Sequence, residues 1–270
     1  MTVSRTVREE TVGGHPELVR RWDPDGPPIA TVIVVHGLGD HSGRYERVAS
    51  ALADHACAVV SFDLIGHGES GGRRGHVDEW HLYLDQIERH ADVARAEGPV
   101  VVMGHSMGGL VALDYALSDH HDPDLLVLSA PSLTGGRAWQ RFVAPIVGKV
   151  APTLAIPTVF EADQLSRDPS VGEAYFADPM VLTRATARLG ASVLVTGDRC
   201  RARIHELAVP TLVLHGGADT IVPPTASLPL EESQFVERRL YPRLRHELFN
   251  EPEGEEILAE VADWIRDRIG

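Results

Sequence analysis

The segment Val100-Val-Val-Met-Gly104-His105-Ser106-Met107-Gly108-Gly109-Leu110 constrains this chain more than any other. The apolar run Val100–Met103 reads as a strand buried on both faces, as in a parallel sheet. Met107–Leu117 carries no Gly or Pro after its first turn and reads as a helix. A Gly-x-Ser-x-Gly sequence therefore falls on the junction between strand and helix. A serine there sits on a tight, strained turn that lifts its Oγ clear of the sheet. Side chains two residues before and after it would collide, so those positions need glycine. The following helix aims its free N–H groups and positive dipole end at the same spot, where developing negative charge can be held. Chance supplies the bare motif at roughly 0.1 per chain of this size, so it is the strand–turn–helix setting that makes Ser106 a candidate nucleophile.

The rest of the chain is consistent with an α/β sheet. Thr2–Glu9 and Leu18–Trp22 read as short antiparallel strands, followed by a Pro-Asp-Gly-Pro-Pro turn. Ala30–Val35, Ala58–Phe62 and Leu125–Leu128 are further buried strands. Tyr45–His55, with Val48, Ala49 and Leu52 inward, and Val77–Glu97, ending at Gly98-Pro99, are helices. The alternation breaks after Pro131, and Ser132 to about Arg201 contains no convincing buried strand. That stretch instead has an apolar stripe at Trp139, Phe142, Val143, Ile146, Val147 and Val150, the spacing of one helix face, which Pro145 should kink or break. The stripe reads equally as core packing or as an apolar lid. Alternation resumes with strands at Val209–His215 and Val236–Tyr241 and a final helix at Glu255–Ile269. The expected architecture is a mostly parallel, doubly wound sheet with a helical cap inserted after the sixth strand: core 1–131, cap 132–201, core 202–270.

A serine hydroxyl needs a base, and the base needs an orienting acid. Asp219 lies just past the strand at 209–215, and His246 just past the strand at 236–241. Both thus fall at the C-terminal edge of the sheet, where open α/β folds bind ligands. Asp198 and Glu247 compete as the acid, but Asp198 lies in the insert and Glu247, beside His246, would point elsewhere. His215 competes as the base, but it precedes the acid and ends a strand. The Gly-rich loop Val35-His36-Gly37-Leu38-Gly39 follows a buried strand, so the N–H of Leu38 joins that of Met107 as the expected oxyanion hole. Asp63-Leu-Ile-Gly66-His67-Gly68-Glu-Ser70 lies at the same edge and reads as polar bracing.

Composition removes several classes. With 25 Lys and Arg against 39 Asp and Glu, the formal charge is −14, which disfavours nucleic acid and anionic lipid surfaces. A local apolar contact with a lipid aggregate remains compatible with it. Two cysteines, Cys57 and Cys200, do not make a secreted disulfide framework, and Cys57 reads as a small buried residue. The polar N-terminus lacks a signal-peptide core, and no stretch reaches the roughly 18 apolar residues of a membrane span, so a cytoplasmic protein is expected. Fourteen histidines bring no His-Glu-x-x-His and no zinc spacing, and there is neither a Gly-x-Gly-x-x-Gly nor a P-loop; no metal and no cofactor are expected.

Taken together, His36-Gly-x-x-x-His41-Ser-x-Arg44-Tyr45, Asp63-x-x-Gly66-His67-Gly68-x-Ser70 and Gly104-His-Ser-Met-Gly-Gly109 resemble the monoacylglycerol lipase and lysophospholipase branch of the α/β hydrolases. Leu165-Ser-Arg-Asp-Pro, Tyr175-Phe-Ala-Asp-Pro and His246-Glu-Leu-Phe-Asn-Glu-Pro252 are similar to the bacterial members. The resemblance runs from about Thr31 to the C-terminus. It implies the α/β-hydrolase fold, an acyl tunnel under the cap, and a small polar end for glycerol near Asp40, Arg44, His105 and Tyr175. It implies a small-molecule lipid ester as substrate, split to fatty acid and glycerol, and transient contact of the cap with lipid aggregates. Lysophospholipase or short-chain carboxylesterase activity is the alternative, and a non-catalytic binding protein of the same fold a distant one. Three features depart from the pattern: Arg243 and Arg245 flank the base, Thr225–Glu232 is compact, and Val222 stands where some mammalian members carry a cysteine.

Overall fold

The computed structural model describes residues 4–133, 138–158 and 160–269. Strands β1 (Ser4–Val12) and β2 (His15–Asp23) form an antiparallel hairpin, and the expected start at Thr2 lies outside the described residues. Its turn is Gly13-Gly14, with φ of 56° and 79°, the left-handed pair that suits the twist of a hairpin. Strands and helices then alternate: β3 (Ala30–Val35), α1 (Glu46–Asp54), β4 (Cys57–Phe62), α2 (His81–Arg95), β5 (Val100–His105), α3 (Met107–Ala116) and β6 (Leu125–Ser129). Helix α2 starts four residues later than the apolar pattern suggests. Val77 and Trp80 are buried, but the chain before them is tied to residue 186 (Thr186 N to Gly75 O, 2.8 Å; His76 Nδ1 to Thr186 Oγ1, 2.9 Å) and cannot wind.

The segment expected as a cap holds α4 (Ala138–Val150), β7 (Ala155–Pro157), α5 (Pro169–Ala177), β8 (Arg184–Thr186) and α6 (Ala187–Arg203). Helix α4 runs through Pro145 and is not broken there. Proline keeps a helical φ and removes a single N–H bond, and α4 is held from outside by α6: a Cβ on Gly148 would lie 2.8 Å from Ala191 Cβ. The Trp139 side chain lies outside the described residues. Strands β7 and β8 form a short antiparallel ladder where no strand was expected. Each has three residues and β7 is exposed throughout, so no apolar run marks it. Helix α6 continues to Arg203, past the expected boundary at 201. The chain closes with β9 (Thr211–Gly216), β10 (Val236–Tyr241) and α7 (Gly254–Ile269).

The main sheet has eight strands in the order β1-β2-β4-β3-β5-β6-β9-β10, parallel from β4 to β10. Every residue of β3, β4, β5, β6 and β9 is buried. Alternate residues serve opposite faces. Val32, Val34 and Val59 pack with Leu52 of α1 and Val261 of α7, while Ile33, Val35 and Val102 pack with Ile87 of α2 and Leu110 of α3. Growth of the sheet switches direction at β3, which opens a crevice at the C-terminal ends of β3 and β5. Among the described residues no helix is long and apolar enough to cross a membrane.

Candidate active site

Ser106 stands between β5 and α3 with φ 55° and ψ −118°, one of three non-glycine residues at positive φ among those described. The surroundings enforce this strain. A Cβ on Gly104 would collide with the Gly108 carbonyl, and one on Gly108 with the Val35 and His36 carbonyls. The turn thus packs directly on the end of β3. Bonds from Ser106 N to Ser129 O (2.9 Å) and from Ser132 N to Ser106 O (3.0 Å) fix it on the other side. The Ser106 hydroxyl lies 3.3 Å from Ser132 Oγ.

Asp219 and His246 come together from the loops after β9 and β10, with His246 Nδ1 2.7 Å from Asp219 Oδ2. The other carboxylate oxygen accepts the N–H groups of Ile221 and Val222, each at 2.9 Å. His215 lies behind the acid: its Nε2 is 2.9 Å from Val222 O and 3.5 Å from Asp219 Oδ2, so its proton goes mainly to the carbonyl. Burial pushes the Asp219 carboxyl up, but the His215 and His246 rings and the backbone N–H groups outweigh it and hold the group well below the ordinary carboxylate range. A carboxylate at Nδ1 makes that nitrogen the proton carrier and leaves Nε2 free to accept. Asp198 lies on α6 and does not line the site.

The turn His36-Gly37-Leu38 lies against the serine, since a Cβ on Gly37 would be 3.4 Å from Ser106 Cβ. His36 Nε2 accepts the N–H of Leu64 at 2.9 Å, and burial lowers the ring's pKa, so it acts as a neutral brace. Met107 is the first residue of α3, where an N–H has no intrahelical partner. Among the described residues neither its N–H nor that of Leu38 is paired with another backbone group. Leu38, Met107, Ser106 and His246 all line one cavity of about 260 Å³, together with Ser132, Phe160 and Val222. A second, apolar cavity of about 600 Å³ lies under α4 and α6, lined by Val143, Val147, Ile156 and Leu194, and shares Leu38 with the first.

The cavity's other end is polar. The Arg44 guanidinium lies 3.1 Å from Asp40 and binds both oxygens of Glu247, at 3.0 and 2.9 Å, while covering the Tyr175 ring at 4.6 Å. Burial pushes the Asp40 carboxyl up, but Arg44 and its neighbours bring it below its usual value. The His105 ring lies 4.7 Å from that of His246, tilted by 55°, and its Nδ1 lies 3.1 Å from Ser129 Oγ. Burial, then the neighbouring His246, lowers its pKa to about 3. The four residues suggested for the polar end thus meet, joined by Glu247. Glu247 does point away from the base, as expected, but its part in this cluster went unread because its one sequence signal was adjacency to His246. Ser132 was missed as well, being the first residue of a loop with no motif.

The 63–70 loop is braced as expected: Asp63 accepts the N–H groups of Ser42 (2.8 Å) and Glu69 (2.7 Å). Arg245 turns from the base toward the carbonyls of Asp163 and Ser166. Glu251, fully buried, ties two segments together by accepting from Arg245 N (2.7 Å) and from Arg167 N (3.0 Å). Glu247 N bonds Leu165 O at 2.8 Å beside it. Among the described residues two groups have metal-donor spacing, Glu10/Glu17/His90 and Glu88/Asp92/His121, and neither lines the cavity. Glu17 is already bonded to Gln86 and His90.

Residues 26–253 match the family described as serine aminopeptidase, S33. The monoacylglycerol lipase of Mycolicibacterium smegmatis is 34% identical, over 97% of this chain and 98% of its own. The monoglyceride lipase of Homo sapiens is 30% identical, over 92% of this chain and 86% of its own. The crystal structure of the Paleococcus ferrophilus monoacylglycerol lipase aligns with a TM-score of 0.84 at 28% identity, covering 99% of this chain and 100% of that one.

Proposed function

The chain belongs to the serine aminopeptidase S33 family and is a carboxylic ester hydrolase of the monoglyceride lipase-like α/β type, and on that premise we propose that it splits monoacylglycerols into fatty acid and glycerol. The observation that supports this reading is a cavity that holds Ser106 and His246, shares Leu38 with a neighbouring apolar cavity, and is lined at its other end by the polar cluster of Asp40 and Glu247. Such a cavity suits an ester with a long apolar acyl group and a small hydroxylated alcohol.

In this mechanism His246 Nε2 takes the proton of Ser106 as Oγ attacks the ester carbonyl, and Asp219 holds the resulting imidazolium. The N–H groups of Leu38 and Met107 receive the oxyanion. Glycerol leaves with the proton from His246, and water, activated by the same ring, releases the fatty acid. The Ser106 hydroxyl must exchange its Ser132 contact for His246, a tightening common on substrate binding. The acyl chain lies under α4 and α6, and glycerol faces Asp40, Arg44, His105 and Tyr175. Residues 132–201 act as the cap, and α4 meets lipid aggregates through Phe142, Ile146 and Val150, which are 78%, 63% and 81% exposed. We further propose that the protein works in the cytoplasm, in peripheral contact with lipid surfaces.

The test compares 1-oleoylglycerol, trioleoylglycerol and a short p-nitrophenyl ester, with the native protein and Ser106→Ala. Fast turnover of oleoylglycerol, little of triolein, and a loss of roughly 10⁴–10⁶ in kcat for the variant are expected. Cleavage of the short ester alone would overturn the lipid assignment and leave the serine chemistry standing.

A further inference from the structure

Among the described residues lining the cavity and the small recess behind it, Arg44 is the one permanent cation. Guanidinium groups facing a substrate commonly read as receptors for phosphate or carboxylate. This one is occupied. Both terminal nitrogens are bonded to Glu247, one of them also to Asp40, and its face lies on Tyr175. The two acids are held in place: Asn250 donates to Glu247 at 2.7 Å and the N–H of His41 to Asp40 at 2.8 Å. Both are largely removed from solvent, at 6% and 4% exposure. One positive charge therefore meets two negative ones, and the polar end carries a net negative charge in poorly screened surroundings. Carboxylates also have more acceptor sites than Arg44 uses, so the hydroxyls of glycerol find acceptors there.

We propose that Asp40 and Glu247 make this end of the site select for an uncharged alcohol, so that monoacylglycerols are taken and acylglycerols bearing a phosphate on the glycerol are refused. The proposal rests on the monoacylglycerol reading above and adds the residues that set its headgroup selectivity. Repulsion of this kind discriminates by penalising the wrong ligand rather than by adding contacts to the right one. The net charge of −14 over the chain acts in the same direction.

The experiment pairs 1-oleoylglycerol with 1-oleoylglycerol 3-phosphate, which differ by the phosphate alone, and adds 1-oleoyl-lysophosphatidylcholine as a bulkier zwitterion. The ratio of kcat/KM values is measured for the native protein, Glu247→Gln and Asp40→Asn. Folding is checked by near-UV circular dichroism and the serine by fluorophosphonate labelling. The native protein should strongly prefer the neutral ester, and each variant, having lost one like charge, should shift the ratio toward the phosphate by about tenfold or more. Rates on the phosphate ester should rise in absolute terms, which a merely structural role would not produce. Equal native turnover of both esters overturns the proposal and leaves monoacylglycerol hydrolysis intact. So does a ratio that stays fixed in both folded variants, or parallel refusal of the phosphate and choline lipids throughout, which would make size the filter. Native protein that hydrolyses no oleoylglycerol overturns the parent reading together with this one.

Discussion

The expectation for Asp219 and His246 rests on their place in the chain. Each falls on the loop directly after a strand of a parallel sheet, and a parallel sheet delivers all such loops to one edge. Ser106 adds the glycines that its backbone needs, and those two positions leave no room for a methyl group. Glu247 and Ser132 are different in kind. Their side-chain directions depend on how the loops after β10 and β6 turn, and nothing in local spacing encodes that. The role proposed for Asp219 is open to a direct check. Asp219→Asn keeps the shape of the acid but stabilises the wrong His246 tautomer, and kcat should fall about 10⁴-fold. A fall of tenfold or less, in steady-state assays of a folded variant, would remove Asp219 from the mechanism.

At the level of elements, the buried strands were legible because continuous β-branched runs have few other uses. The short β7–β8 ladder was not, since it buries too little to leave a pattern. Helix α4 resolves the apolar stripe into two faces. Val143 and Val147 line the apolar cavity, while Phe142 and Ile146 point outward. An i, i+4 count gave both readings because each face keeps its own helical spacing. If the outward face docks on lipid, each large side chain contributes about 1.5–3 kcal/mol of binding. The double change Phe142→Ser with Ile146→Ser should then lower turnover of vesicle-borne oleoylglycerol by about tenfold or more, with the rate on a water-soluble ester as the internal control. Equal effects on both substrates would mean that α4 shapes the cavity and does not meet lipid.

For the molecule as a whole, the alternation of strand and helix was enough to read the mostly parallel sheet. The number of histidines buried in the molecule was not legible. His67 and His105 are enclosed, and burial, with His36 beside the first and His246 beside the second, lowers each pKa to about 3. In the unfolded chain both would titrate near about 6.5. The unfolded state therefore takes up more protons below that value, and stability that is fully present above about pH 6.5 declines as pH falls toward 3. Each ring contributes a slope of up to about 1.4 kcal/mol per pH unit. Urea unfolding between pH 7 and 4 should show this, with a shallower slope in His67→Gln; a flat profile would mean the rings gain protons in the folded state. The Glu251 tie bears on how such a chain can change over time. That carboxylate fastens residues 166–167 to the loop that carries His246, so a change in either segment is felt by the other. Exchanging residues 164–167 for those of another chain would therefore require the matching piece of the C-terminal core as well.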